Sequence, residues 1–415
     1  MNARSPAPAR RAAAPLGAGA ERGGPGRVRS GVRAPAVLLL VSTLIALALG
    51  ELFLRAALNP GDYLFASVVE DPILGIRIAP KTSGHDALGF RNREVPQRVG
   101  IVALGDSQTY GVGVARDESW PQQLARLLRE PVYSMALGGF GPLEELYLAE
   151  HEALRLRPRV LLVALYLGND MADAHRAAHQ RPYWYGWRET ASAATPLPGE
   201  SERDGREPRK NLGAVRDWLA RRSVLYGFLR LRVFQRLALL EQDRLAARVP
   251  PDSRMVWIDP GDRGVRTIFT PQRRLSALDA RRPEIHEGLG ITKRAFAAMN
   301  HSAKAHGTRL LVVLIPTKER VYCRYLRRCG TEMPPALTRL CDVEDRVKAD
   351  VEGFLSADAI AYVDATATLS EEVPRHAPIY PADSDGHPSA AGHLVIARVV
   401  SDALRRLEAR NPIPR

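Results

Sequence analysis

The stretch "RVGIVALGDSQTYGVGV", residues 98–114, carries an apolar run that stops abruptly at Gly-Asp-Ser and continues into a segment rich in glycine and small residues. Val99 to Leu104 has the length and β-branched content of a buried strand, and Gly105 supplies the backbone freedom for a sharp exit. Ser107 then stands where a loop leaves the sheet. In open α/β sheets that rim, beyond the carboxyl ends of the strands, is where ligands bind. Asp106 and Ser107 are also ordinary turn and helix-cap residues, so the rest of the chain decides between a nucleophile and a cap.

Working outward, short apolar runs alternate with amphipathic stretches from about residue 97 onward. Strand patterns cover 100–104, 131–134, 159–166, 309–315 and 360–363, and helix patterns cover 120–129, 143–155, 293–305, 335–354 and 390–407. Such alternation predicts a mostly parallel sheet with helices on both faces. The pattern breaks between about residues 172 and 288. There a polar run, "TPLPGESERDGREPRK", precedes an Arg-rich amphipathic helix candidate at 212–247 and the segment "VRTIFTPQRR". A long stretch without the surrounding regularity is uncommon in a compact domain, and it reads as an insertion forming a cap or a surface for an envelope partner.

The first 33 residues hold seven Arg against the single Glu21 and almost no large apolar side chains, the composition of a disordered basic tail. Directly after them, residues 34–55 read as a transmembrane signal anchor: the span 34–50 is uncharged, and Leu52 to Leu54 extend it if Glu51 lies near the headgroups. Ala46-Leu47-Ala48 also offers a small-residue cleavage pattern. The flanking Arg cluster predicts a single-pass protein of the inner membrane, with its tail in the cytoplasm and everything beyond about residue 55 outside it. Residues 56–96 read as a juxtamembrane segment that packs onto a domain at 97–415. The net charge of +13 reads as a solvated basic surface, and no nucleic-acid-binding module is present. Cys323, Cys329 and Cys341 fall close together, which in an exported domain permits one disulfide and one free thiol, with the pairing open.

Three further stretches line up with the first: two run from strands to the same rim, and the third is a polar loop before a helix start. "VYSMALGGFGPLEELY" passes through Gly138, Gly139 and Gly141, "RVLLVALYLGNDMAD" ends in Gly168-Asn169-Asp170, and "PADSDGHPSAAGHLVIARVV" holds Asp383, Asp385 and His387. Acyl transfer from an ester needs a nucleophile, a base, an orienter for that base and donors aimed at the developing oxyanion. Ser107, His387 and a nearby aspartate fill the first three roles. The backbone N–H groups of Ser107 and Gly139 and the side-chain amide of Asn169 fill the fourth. A metal at Asp383, Asp385, His387 and His393 would strand Ser107 without a base, so no metal or other cofactor is expected there.

These blocks resemble those of the SGNH hydrolase superfamily, also called the GDSL family, in their usual order, with the insertion outside the shared pattern. The resemblance implies a flavodoxin-like three-layer α/β/α sandwich on a mostly parallel five-stranded sheet, with Ser107 as nucleophile, Gly139 and Asn169 in the oxyanion hole and His387 as base. Two departures stand out: the usual Asp three residues before the His is Ser384 here, and the usual Asn opening the second block is Ser134. "DGHPSAAGH" is similar to the Asp-x-His version in membrane-anchored, polysaccharide-modifying branches, which selects Asp385 as the acid, with Asp383 as the alternative. Lys318, in "LLVVLIPTKERVYC", is either a substrate contact or half of a surface ion pair with Glu319; similar Pro-x-Lys segments occur in alginate acetylation proteins of the superfamily. The expected activity is hydrolysis of O-acyl, above all O-acetyl, esters of a small molecule or polysaccharide. An O-acetyltransferase with the same triad and a non-catalytic envelope scaffold are the alternatives.

Overall fold

Nine strands occur among the described residues: the hairpin β1 (Val68–Asp71) and β2 (Gly75–Ile78), then β3 (Ile101–Gly105), β4 (Val132–Ala136), β5 (Val160–Tyr166), the pair β6 (Val256–Ile258) and β7 (Thr267–Phe269), then β8 (Arg309–Ile315) and β9 (Ala361–Asp364). The structure, a computed structural model, describes residues 33–189, 212–234, 256–258, 267–373 and 378–410. The tail at 1–32, the polar run "TPLPGESERDGREPRK" and residues 235–247 of the expected Arg-rich helix lie outside them. The chain divides into two units, Met1–Gly50 and Glu51–Arg415.

Every residue of β3, β4 and β5 is buried, as befits parallel strands covered on both faces. The five sheet strands run in the order β4-β3-β5-β8-β9, all parallel. This is the doubly wound 2-1-3-4-5 arrangement, whose direction of winding reverses between its first and third strands, here β3 and β5. Side chains alternate across the pleat. Val102 and Leu104 join a core formed with the helices Pro142–Leu148, Asp170–Gln180 and Pro283–Ala305, whereas Ile101 and Ala103 face a second core built on Trp120–Leu128, Lys318–Arg328 and Ala390–Arg410. The three-layer α/β/α expectation therefore holds.

Some boundaries differ from the sequence reading. Asp170–Gln180 and Pro283–Ala305 are regular helices of the layer packed on the sheet, so the departure from alternation is narrower than 172–288. The amphipathic pattern over 212–247 is broken at Ser223, whose hydroxyl caps a new helix, Val224–Phe228, by accepting the Tyr226 N–H at 3.0 Å. The helix expected over 143–155 is α-helical only over Pro142–Leu148 and then widens into a π turn and tightens into a 3₁₀ turn.

Within the first unit and its continuation, Pro35–Ala57 forms one helix long and apolar enough to cross a membrane by length and composition. In the second unit, Asp86 and Asn92 of the segment 56–96 contact edge strand β4. Asn92 makes a two-way pairing with edge strand β4, donating to Ser134 O at 2.9 Å and accepting from Ser134 N at 3.1 Å. That covers part of an edge that would otherwise expose unpaired backbone. The buried Arg91 guanidinium donates to the carbonyls of Tyr110, Gly111 and Val114 and pairs with Asp62, tying this segment to the loop after Ser107.

Cys323 and Cys341 form the disulfide, linking Lys318–Arg328 to Pro335–Ala357 across 18 residues, and Cys329 is free and half-buried. Closing a loop of this size restricts the unfolded chain. The double variant Cys323→Ser/Cys341→Ser is expected to lose about 3 kcal/mol of stability in urea denaturation, while the corresponding Cys329→Ser variant stays close to wild type.

Candidate functional site

β3 delivers the nucleophile candidate. Its last residue, Gly105, leads through Asp106 into the short helix Ser107–Tyr110, where the Asp106 carboxylate caps by accepting the Gln108 N–H at 2.8 Å. Ser107 is the first helical residue, so its own N–H stays outside the intrahelical ladder. Its side chain is mostly buried, with Oγ 3.3 Å from Asp106 Oδ2.

His387 Nε2 lies 2.9 Å from Ser107 Oγ, although 280 residues separate them in sequence. On the far side of the ring, Nδ1 lies 2.6 Å from Asp385 Oδ1, which also accepts the His387 backbone N–H at 3.0 Å. The Nδ1–H tautomer donates to Asp385 and leaves Nε2 as acceptor for the serine hydroxyl. Asp383, the other candidate acid, makes a different contact: its Oδ1 accepts the Asp385 N–H at 2.9 Å and so shapes the loop. Burial opposes ionisation of Asp385, but the hydrogen bonds and charge of His387 outweigh it and hold the carboxyl down to about 2.

Lys318 is neither a surface ion pair nor an open substrate contact. It is 1% exposed, and Nζ donates to the carbonyls of Pro381 (2.8 Å), Asp383 (2.6 Å) and Asp385 (3.1 Å). An ammonium has three N–H donors, and all three are engaged by the loop that carries the acid and the base. Burial pulls its pKa down to about 8, with the neighbouring acids opposing the shift. The turn that presents it is held by Glu344, whose two carboxylate oxygens accept from Thr317 N (2.8 Å) and Thr317 Oγ1 (2.5 Å). Further support for the loop comes from β7, through Ile268 N to Ala382 O and Thr267 Oγ1 to Pro381 O, each 3.2 Å. Sequence reasoning missed this anchoring role; the readable signal was a lysine one residue into a helix that follows a buried strand directly.

The remaining predicted residues stand at the ends of β4 and β5. Gly139 has φ +90°, a conformation that a side chain would strain, and a Cβ on its neighbour Gly138 would come 3.5 Å from Ser107 Cβ. The Gly138-Gly139 turn thus lies against the nucleophile. Asn169 occupies the N-cap position of the helix Asp170–Gln180 without a side-chain capping bond and is almost fully buried, its Nδ2 donating to Asp173 Oδ2 at 2.6 Å. A primary amide has a second N–H beyond the one that Asp173 fixes. The loops after β3 and β5 flank the switch point of the sheet, where ligand sites of this topology form.

Beside the triad opens a cleft of about 220 Å³. Val112, Val114, Leu231, Tyr63 and Pro381 give it an apolar lining, and Asp385 and His387 face it. Pockets for drug-sized ligands run from about 300 Å³ upward, so this one suits a small group.

No family profile and no curated relative matches the chain. Solved structures similar to it include one described as a lipolytic protein of the G-D-S-L family from Desulfitobacterium hafniense DCB-2, at 11% identity and TM-score 0.35, covering 73% of this chain and 98% of that one. An acylhydrolase from Bacteroides fragilis NCTC 9343 is similar at 11% identity and TM-score 0.33, covering 75% and 88%. A catalytic mutant of an acetylxylan esterase from Geobacillus stearothermophilus is similar at 12% identity and TM-score 0.35, covering 75% and 95%. Likenesses at this level leave the functional reading to the geometry of the chain itself.

Replacing Lys318 by Met leaves three loop carbonyls without their donor; the expected result is a folded protein whose kcat for a short acyl ester falls by about 100-fold with little change in KM, the scale of a small misplacement of a reacting group. For Asp385 the folded carboxyl is depressed below its unfolded value, so its stabilisation is present above about pH 3.8 and is lost as pH falls from there toward 2. Melting temperatures across that window should therefore fall less steeply for Asp385→Asn than for wild type.

Proposed function

We propose that this chain is a membrane-anchored serine esterase of the SGNH superfamily that hydrolyses small O-acyl esters outside the cytoplasm. The observation that carries the reading is the relay from Asp385 through His387 to Ser107 at the carboxyl edge of a parallel sheet. His387 takes the Ser107 proton as Oγ attacks the ester carbonyl, and Asp385 stabilises the imidazolium that forms. The oxyanion is received by the N–H groups of Ser107 and Gly139 and by the second N–H of Asn169, whose amide Asp173 holds in place. The imidazolium then protonates the departing alcohol, leaving an acyl-serine. Water repeats the sequence: His387 removes its proton, the acid is released and Ser107 regains its hydrogen.

The small cleft beside Asp385 and His387 favours a small ester. The apolar helix Pro35–Ala57, preceded by the Arg-rich tail, favours an inner-membrane anchor with residues 56–415 outside. A location outside the cytoplasm favours an acylated envelope or secreted polysaccharide as the substrate. If a sugar hydroxyl replaces water in the second half-reaction, the same residues perform O-acetyl transfer.

The test uses the full chain in detergent. A fluorophosphonate probe should label wild type and not Ser107→Ala, and hydrolysis of 4-nitrophenyl acetate should drop by about 10⁴-fold or more in that variant. A wild-type protein that melts cooperatively yet neither labels nor turns over any short-chain ester would overturn the reading. Acetate appearing on an added oligosaccharide, rather than free in solution, would replace hydrolysis by transfer.

A further inference from the structure

Outside the triad, a second cluster of chemically capable side chains sits between two helices. His175 and His179 are four residues apart on Asp170–Gln180 and therefore share one face, their rings 4.2 Å apart between centroids. Glu287, on Pro283–Ala305, faces both: Oε1 is 3.0 Å from His179 Nε2, and Oε2 is 3.5 Å from His175 Nε2. All three side chains are less than 10% exposed. We propose that His175, His179 and Glu287 form a binding site for a borderline divalent cation of the zinc type, which pins the helix carrying Asn169 to the helix Pro283–Ala305.

The donor set is two imidazoles and a carboxylate, the combination that suits zinc and its first-row neighbours and disfavours calcium and magnesium, which take all-oxygen shells. The geometry fits as well. In a tetrahedral site with bonds of about 2.0–2.1 Å, neighbouring ligand atoms stand roughly 3.3 Å apart. The two separations at Glu287 involve its two different oxygens, 3.0 Å to His179 and 3.5 Å to His175, and one donor atom from each residue lies within 4.8 Å of the others. Three protein ligands leave the fourth position to water.

The surroundings hold the ligands in this convergence. Glu287 Oε1 also accepts the backbone N–H of Glu189 at 2.8 Å, an orienting bond of the kind that fixes metal-binding carboxylates. At the next residue, Gly288, a Cβ would come 1.9 Å from Met171 O, so only glycine lets the helices approach closely enough for Glu287 to reach both rings. Arg188 folds back over the end of the histidine helix, donating to Ala178 O at 3.0 Å and His179 O at 3.2 Å. A pair of buried imidazoles sharing one carboxylate through hydrogen bonds alone is the competing arrangement, and it predicts no metal uptake.

His175 lies six residues beyond Asn169, roughly 9 Å along the helix axis. The cation thus has no place in the acyl-transfer step. It fixes the rotation and height of the helix whose first turn presents Asn169 and Asp173. The site stands independently of the esterase reading, because it is assayed by metal binding alone.

The test takes the full chain in detergent after dialysis against a chelator. Titration with Co²⁺ should give the intense d–d absorption of four-coordinate cobalt at one equivalent, and Zn²⁺ should displace it. Zinc at a hundredfold excess over Kd should raise Tm by on the order of 5 °C. Glu287→Gln and His175→Gln, each checked for an unchanged circular dichroism spectrum without metal, should each weaken Co²⁺ binding by at least tenfold. Wild-type protein that takes up no metal, or binding that survives in a folded variant, would overturn the proposal. Should one variant fail to fold, the other and the wild-type titration still decide it.

Discussion

A parallel sheet buried on both faces confines polar chemistry to its edge, and most of this molecule follows from that constraint. Within β3, β4 and β5 every residue is buried, so their side chains are closed off from any ligand. The groups that do chemistry must therefore sit where the strands end. β3 ends next to Ser107, β4 at Gly138-Gly139, β5 at Asn169 and β8 at the turn holding Lys318. Because the strands are parallel, all four ends open on one side, and the winding reversal between β3 and β5 leaves a crevice there.

The loop with the acid and the base enters from elsewhere, just before the helix Ala390–Arg410, and no strand of the five-stranded sheet leads into it. Its position is set by donors that grip its carbonyls. Lys318 supplies an ammonium from the end of β8, and β7 adds two further bonds. Burying an ammonium without partners would be costly, and three carbonyl acceptors offset that cost only while the loop keeps its shape. Cation and loop therefore stabilise each other's placement.

The parts legible in the sequence were those governed by short-range pattern. β8 matches its expected limits residue for residue, and the other sheet strands agree within one or two residues, because runs such as "RLLVVLI" leave little choice of register. The Asp385 choice, made on a two-residue spacing, corresponds to the carboxylate that the imidazole contacts. What escaped were long-range relations. Lys318 and Glu319 read as a substrate contact or a surface pair because the local sequence allows either; only the packing of 267–278 and 381–387 around them buries both. The helix Lys318–Arg328 escaped as well: its buried Val321, Tyr322, Tyr325 and Leu326 recur at helical spacing, but five Arg and Lys residues among eleven make the segment read as polar. His175 and His179 carried helix-period spacing, but their partner Glu287 lies 108 residues beyond His179.

The two-residue spacing between Asp385 and His387 has a mechanical meaning. Acid and base share one short piece of backbone, stitched together by both a side-chain and a main-chain hydrogen bond to the same oxygen. They therefore travel as a single rigid body, while Ser107 belongs to another. A displacement of that piece leaves the internal pairing of the imidazole in place and alters the placement of Nε2 against Oγ. The reaction centre behaves less like three independent parts than like a hinged pair of jaws, with Lys318 at the pivot.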